Sequence, residues 1–395
     1  MLKNNYYWRF QGNENKYINK ILKRGLRPKK EKNFNLQLEK KWSKIHKVKY
    51  SITVNSCTSG LHAGLCALSL KKNDEVLIPA LTPVMPANAV IFAGLKPIFV
   101  DVDPKTFLMD PNDLVKKITK KSKVILLVHL YGNVCDSKIF RRIAKKHNLK
   151  IMEDCAESLV AKDKNGVMAG TMGDIAVWSF QSAKHITCGD GGIISTSNSK
   201  IAEKARKYSN LGFKFLQSSG DKIIVSKKFL QSPSTYRFSL VGYNYRMNEF
   251  SAAIALAQTE RISHFIKLRR YVSLKMLNVI SKSSLLRPQL VEKNVFSSFY
   301  TLSAVLSEKI KWKEFQKKFV YFGGDSFYAA SKIVQDEPSI KNSKYKLSKT
   351  PVAKKLQKNI INFCTNQGSI KDANRQVLAL KKTIKFFHNL LHEKN

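Results

Sequence analysis

Cysteine is scarce: six in 395 residues, Cys57, Cys66, Cys135, Cys155, Cys188 and Cys364. None forms a CxxC pair or a zinc spacing, so the sequence supports neither a metal site nor a disulfide framework. Reduced thiols in a cytoplasmic protein fit this usage best. No apolar stretch approaches the ~20 residues that span a bilayer. The opening residues, MLKNNYYWRFQGNENKY, have no apolar core or small-residue cleavage site and do not read as a signal peptide. Acidic residues are the other shortage. Asp and Glu number 28 against 70 Lys and Arg, a formal charge of +42. So basic a chain raises a nucleic-acid hypothesis. Yet the lysines are spread throughout and no nucleic-acid motif accompanies them, so a field that attracts a phosphorylated substrate is the milder reading. The Walker pattern GxxxxGK(S/T) and the dinucleotide pattern GxGxxG are missing as well.

What is present suffices for two packed domains, since 43% of residues are hydrophobic. Residues 13–48 read as basic amphipathic helices. From 50 to 200 short β-rich runs alternate with helical patterns: SITVNS, DEVLIPA, KPIFVDV, VILLVHLYG, KIMEDC, IAVWSF and GGIIST. Strands that are apolar throughout and spaced by helices predict a mostly parallel sheet covered on both faces. From Met247 to Ser281 a helical pattern runs without proline or glycine, as a connector. The remainder mixes strands such as SFYTLSAVLS (298–307) with terminal helices. The expected division is a large α/β domain at 1–246 and a smaller α+β domain at 247–395. Residues 217–238 read as a loop or hairpin insertion.

Ligands of an open parallel sheet bind beyond the carboxyl ends of its strands. The first strand leads into Asn55-Ser56-Cys57-Thr58-Ser59-Gly60 and a helix, a turn suited to an anion and equally to ordinary helix capping. Another strand ends in Glu153-Asp154-Cys155-Ala156-Glu157, either a solvated acidic turn or a carboxylate at the sheet's mouth. Beyond IAVWSF comes Lys184, a surface lysine in a lysine-rich chain or a desolvated nucleophile for a carbonyl. Gly189, Gly191 and Gly192 let the backbone pass close to a bulky group. Together these meet the needs of pyridoxal phosphate: a lysine for the aldehyde, an acid for the ring nitrogen, and a helix start with hydroxyls for the phosphate.

NSCTSGLHAGL, GLKPIFVDVDPKT, VHLYGNVCD, IMEDCAES, GTMGDIAVWSFQSAKHITCGDGGIIST and GYNYRMNEFSAAIA, in this order, resemble the DegT/DnrJ/EryC1/StrS family of sugar aminotransferases. The resemblance implies the pyridoxal-phosphate transferase fold of type I, with pyridoxal 5′-phosphate as cofactor. It implies that Lys184 bonds the cofactor and Asp154 pairs with its ring nitrogen. Thr58, Ser59 and Ser179 would bind its phosphate, and Asn244 would reach that phosphate from the second subunit of a homodimer. Glu157 stands where the family usually has glutamine or histidine near the ring oxygen. Pro83, in LTPVMPANAV, replaces the aromatic that stacks on the ring. GGDSFYAASKIVQDEPSI (323–340) replaces a histidine-containing substrate segment. His185 is placed for a substrate contact or for packing beside the site. The implied reaction carries nitrogen from glutamate to a nucleotide-linked keto-sugar, for amino-sugar and surface-polysaccharide synthesis. A dehydratase branch has histidine in place of the lysine, so Lys184 favours transamination.

Overall fold

The computed structural model describes residues 6–26, 33–220, 229, 231–342, 345 and 347–392. The basic amphipathic stretch forms α1 (Glu14–Arg24) and α2 (Phe34–His46), the latter capped by Asn33 Oδ1, which accepts the Leu36 N–H. The alternating region gives β1 (Tyr50–Val54), α3 (Cys57–Ala67), β2 (Glu75–Pro79), α4 (Met85–Phe92), β3 (Lys96–Val100), α5 (Pro111–Lys117), β4 (Ser122–Val128), α6 (Ser137–Lys146), β5 (Lys150–Asp154), β6 (Ile175–Ser179), β7 (Gly192–Thr196) and α7 (Ser199–Ser209). The seven strands form one sheet in the order β1-β7-β6-β5-β4-β2-β3. Only β7 runs against the rest, pairing antiparallel with both β1 and β6. A parallel neighbour needs a long crossover, and β6 reaches β7 through residues 180–191 without a helix, so the chain turns straight back.

Strand β1 lies at an edge, where unpaired N–H groups invite another chain. Here α2 covers it. Glu39 accepts the Thr53 N–H (3.0 Å) and Thr53 hydroxyl (3.1 Å), and Arg206 of α7 closes on Glu39 (2.9 Å) and on Ser51 O (3.0 Å). The pair is buried, so each charge has both a counter-ion and hydrogen bonds.

The helical pattern after Met247 is two helices rather than one, α8 (Glu249–Glu260) and α9 (Ile262–Ile280), broken at Arg261. The N-terminal segment docks at the break. Gln258 Nε2 and Arg261 Nη1 both donate to Arg9 O (2.6 and 2.8 Å). Then come β8 (Leu286–Pro288), β9 (Thr301–Leu306), α10 (Trp312–Tyr321), β10 (Tyr328–Ala329), α11 (Pro338–Lys341), α12 (Pro351–Gln357), β11 (Ile360–Cys364) and α13 (Ile370–His392). Their strands form an antiparallel sheet, β10-β11-β9-β8. The two apolar cores meet inside α9, with Ile266 in the first and Val272 in the second. The unusual segment 323–340 returns to the first core through Ile333 and Val334, and the Val334 N–H donates to Ala80 O beyond β2 (3.0 Å). Within the expected insertion, residues 221–228 and 230 lie outside the described residues. Its flanks pair across a Phe213–Phe238 bridge.

Candidate active site

The parallel strands bring their carboxyl ends to one edge of the sheet, and the turns beyond them converge there. Strand β1 delivers the start of α3. The cap is Ser56, whose Oγ accepts the Ser59 N–H (3.1 Å) and lies 2.8 Å from Ser59 Oγ. Thr58 and Ser59 are half-buried in the helix's first turn. Gly192, which pairs with Val54 on one side and Ser179 on the other, brings Ser179 near this turn. A Cβ at Gly192 would stand 2.7 Å from Cys57 N, so the group that passes close at this glycine is the start of α3. Ser179 Oγ accepts the Gln181 N–H (3.3 Å).

Strand β5 ends on Asp154, which is buried and accepts the Ala156 N–H (3.0 Å); Cys57 Sγ lies 4.0 Å from its Oδ1. Burial pushes the Asp154 carboxyl up from 3.8 to about 6, against the pull of the Ala156 N–H and of the Lys184 ammonium. Its neighbour Glu153 points to the other face of the sheet. It accepts the N–H groups of Gly170, Met172 and Gly173 and lies 3.0 Å from His129 Nε2. Because His129 Nδ1 accepts the Cys135 N–H (3.2 Å), Nε2 carries the proton donated to Glu153. The nearby trio His129, Glu153 and Cys155 is thus occupied by structural bonds.

Lys184 lies in the connection between β6 and β7. Its Nζ is 3.2 Å from Glu157 Oε1, with the two side chains 13% and 9% exposed. Glu157 Oε2 accepts the Tyr131 N–H (3.0 Å), which fixes the carboxylate. The desolvation expected at Lys184 is present and would lower its proton affinity. Glu157, Tyr300 and Asp154 outweigh it and hold the lysine well above its ordinary value, as an ammonium. Arg9 braces the loop from the N-terminal segment, donating to Ser182 O (2.7 Å) and Lys184 O (2.6 Å).

The structure therefore joins Lys184, Asp154 and Glu157 at one point, with Thr58, Ser59 and Ser179 along the adjoining turn. His185 is buried, and its Nε2 donates to Ser298 O (3.2 Å). Burial, then the charge of Arg269, lowers its proton affinity, so it sits neutral. Asn244 has an exposed side chain, and its carbonyl accepts Asn55 Nδ2 (3.4 Å) at the end of β1. Pro83 is half-buried beyond β2. Sequence reasoning missed Tyr300, whose ring centroid lies 4.4 Å from Lys184 Nζ, together with Arg9 and Arg269. All three line a cavity of about 380 Å³ beside the lysine loop, together with Ser182, Thr187 and Tyr328. The pattern carried no local sign of them, because each meets the site across more than 80 residues of chain.

Known proteins resemble this chain over most of its length. GDP-perosamine synthase of Escherichia coli O157:H7 is 36% identical over 294 residues, 74% of each chain. Its namesake in Vibrio cholerae is 32% identical over 304 residues, 76% of each. Among solved structures, an aminotransferase from Psychrobacter cryohalolentis superposes with a TM-score of 0.81 at 23% identity, over 95% of this chain and 96% of that one. The E. coli GDP-4-keto-6-deoxy-D-mannose-3-dehydratase gives 0.82 at 23%, over 94% and 96%. The α/β architecture expected from the sequence is thus the observed one. Residues 9–380 match the DegT/DnrJ/EryC1/StrS aminotransferase family, and the chain belongs to that family.

Proposed function

We propose that this chain is a pyridoxal 5′-phosphate-dependent aminotransferase that moves nitrogen from glutamate to a nucleotide-linked keto-sugar. The observation that carries the reading is the meeting of Lys184, Asp154 and Glu157 at the carboxyl ends of the parallel strands, beside the N-terminus of α3. This donor set fits the cofactor. Lys184 offers the amine for its aldehyde and Asp154 the acid for its ring nitrogen. The first turn of α3, with Thr58, Ser59 and the Ser179 hydroxyl, offers dipole and donors for its phosphate. Glu157 is the partner for its phenolic oxygen. When bound, the cofactor supplies an electron sink for breaking the C–H bond beside an amino group.

The protein's own groups do the rest. Asp154, whose carboxyl burial pushes up to about 6, is suited to share a proton with a ring nitrogen. Lys184 Nζ, once it has given up its own proton, would serve as the base for the proton on the donor's Cα and then as the acid that returns it. Glu157, fixed by the Tyr131 N–H, steadies the ammonium that results. The names of the relatives support a nucleotide-linked sugar, and a charge of +42 favours an acceptor bearing a diphosphate. The test is incubation with glutamate and a panel of nucleotide keto-sugars, read by mass. Gain of nitrogen supports the proposal. Loss of a hydroxyl without gain of nitrogen assigns a dehydratase instead. A colourless protein that takes up no added cofactor overturns both.

The same reading includes a homodimer with shared sites. An exposed apolar face lies beside Asn244. Tyr243 stacks on Tyr245 (5.1 Å) and meets His62 (4.7 Å), His62 meets Phe92, and Val241 is 86% exposed nearby. Such a face rimmed by polar groups suits a second copy of the chain. Mixing Lys184→Ala with Asn244→Ala protein should restore activity that neither homodimer has. No recovery in a verified mixed dimer would exclude the shared site.

A further inference from the structure

The segment ahead of β9 is held in a conformation that its residues do not favour. Phe299 has φ 46°, left-handed for a bulky side chain, which costs about 1–3 kcal/mol. Opposite it, Tyr131 is also left-handed (φ 63°), and the next residue has no side chain: a Cβ on Gly132 would stand 2.4 Å from Phe299 N and 2.7 Å from Tyr300 N. The two turns can press together only at a glycine.

Every carbonyl of residues 297–300 takes a donor, from several directions. Arg270 Nη1 donates to Ser297 O (2.6 Å), His185 Nε2 to Ser298 O (3.2 Å), Thr365 Oγ1 to Phe299 O (2.8 Å) and Arg269 Nη1 to Tyr300 O (2.7 Å). Gly132 O in turn accepts the Ser298 N–H (3.0 Å) and the Ser297 hydroxyl (2.9 Å). Strain over-determined in this way marks a position that matters. Its product is the Tyr300 ring over Lys184 Nζ at 4.4 Å, while Glu157 holds the same nitrogen at 3.2 Å. Arg9, through the Lys184 carbonyl, fixes the backbone on which this nitrogen is carried.

We propose that Tyr300 is a positioning residue for Lys184: its ring face holds the ammonium beside Glu157 and so governs when the lysine is free to bond a carbonyl carbon. The role deepens the proposed aminotransferase reading and rests on it for its purpose, though not for its measurement. The other groups facing Lys184 are Asp154 at the end of β5, Glu157 after it and Cys57 at the start of α3; His185 beside it is neutral, and the Arg269 guanidinium lies 5.7 Å from the centre of the Tyr300 ring. Tyr300 alone among them offers an aromatic face, and its hydroxyl also pairs with Lys184, so the Leu and Phe variants separate the ring from the hydroxyl. A cation–π contact favours the charged amine, so removing the ring lowers the proton affinity of Lys184.

The experiment is trace acetylation of the full-length protein across a pH series, with labelling at Lys184 located by peptide mass spectrometry. Tyr300→Leu should raise the Lys184 labelling rate at a fixed pH below 10 by about threefold to thirtyfold, equivalent to a midpoint about half to one and a half pH units lower, the range such a contact supports. Tyr300→Phe and Tyr300→Trp keep a ring face and should stay within about 0.3 unit of the parent or, for Trp, rise. A midpoint unchanged in Tyr300→Leu overturns the proposal. So does a fall in Tyr300→Phe as large as in Tyr300→Leu, which would assign the effect to the hydroxyl. If Tyr300→Leu does not fold, the Phe and Trp variants decide alone: a drop in both refutes the ring's role, and retention of the parent midpoint in both supports it. Uptake of pyridoxal 5′-phosphate, followed by visible absorption, is measured on the same proteins. Its failure in the parent would refute the cofactor reading and leave the labelling result standing.

Discussion

Replacing Asp154 with asparagine should make the cofactor-free protein more stable at neutral pH while it destroys function. Asp154 is buried, and its carboxyl is raised from 3.8 to about 6, first by burial. A carboxyl that holds its proton more tightly in the fold than in the open chain stabilises the fold fully below pH 3.8. That contribution is lost as pH rises through 6. Each pH unit between the two values corresponds to about 1.4 kcal/mol, so ionised Asp154 costs the fold about 3 kcal/mol at pH 8. Asparagine keeps the shape and an acceptor for the Ala156 N–H, and it never ionises. At about 2 cal/mol/K of unfolding entropy per residue, about 3 kcal/mol raises the midpoint of a 395-residue chain by about 4 °C. The assay is thermal unfolding of parent and Asp154→Asn at pH 4 and pH 8. A gain at pH 8 that shrinks to about a fifth of its size at pH 4 is the expected pattern. A variant less stable than its parent at pH 8, or equally stabilised at both pH values, would refute the claim that burial dominates at this carboxyl.

Gly192→Ala places a Cβ 2.7 Å from Cys57 N, so it should cost about 1–3 kcal/mol in denaturant unfolding and weaken cofactor binding in titration, since the displaced group is the α3 start. Glu157→Gln removes the nearest carboxylate from Lys184, and the acetylation midpoint of Lys184 should fall by about one to three pH units, the range a close opposite charge supports. Glu39→Ala leaves Arg206 buried without its counter-ion and should cost about 3–5 kcal/mol in urea; adding Arg206→Met should recover part of it.

The sheet strands were legible because each is a short apolar run bounded by turn residues, and burial on both faces leaves that mark on the sequence. The reversal of β7 was not, since it depends on the absence of a crossover helix between residues 180 and 191 and not on the strand's own composition. The break at Arg261 was hidden for a related reason. Arginine is a good helix former, and the interruption coincides with a contact to the Arg9 carbonyl, 252 residues away in sequence. Lys184, Asp154 and Glu157 were visible because each lies at or shortly after the end of an apolar strand, and the strand itself is easy to see. Tyr300 was read only as part of a strand, 298–307, whereas β9 starts at Thr301 and Tyr300 belongs to the constrained turn ahead of it. Contacts of that separation are a property of the folded sheet pair alone.

The cap on β1 has a bearing on assembly. With the Thr53 amide closed by Glu39, and with Arg206 locked across the Ser51 carbonyl, that edge is blocked at two points to a neighbouring strand. Two copies meeting there would have to join through the aromatic side chains around Tyr243 and not through a ribbon shared between subunits. A variant such as Val241→Glu should then yield a soluble, fully folded single subunit, the outcome expected when an interface is laid over a finished sheet instead of woven into it.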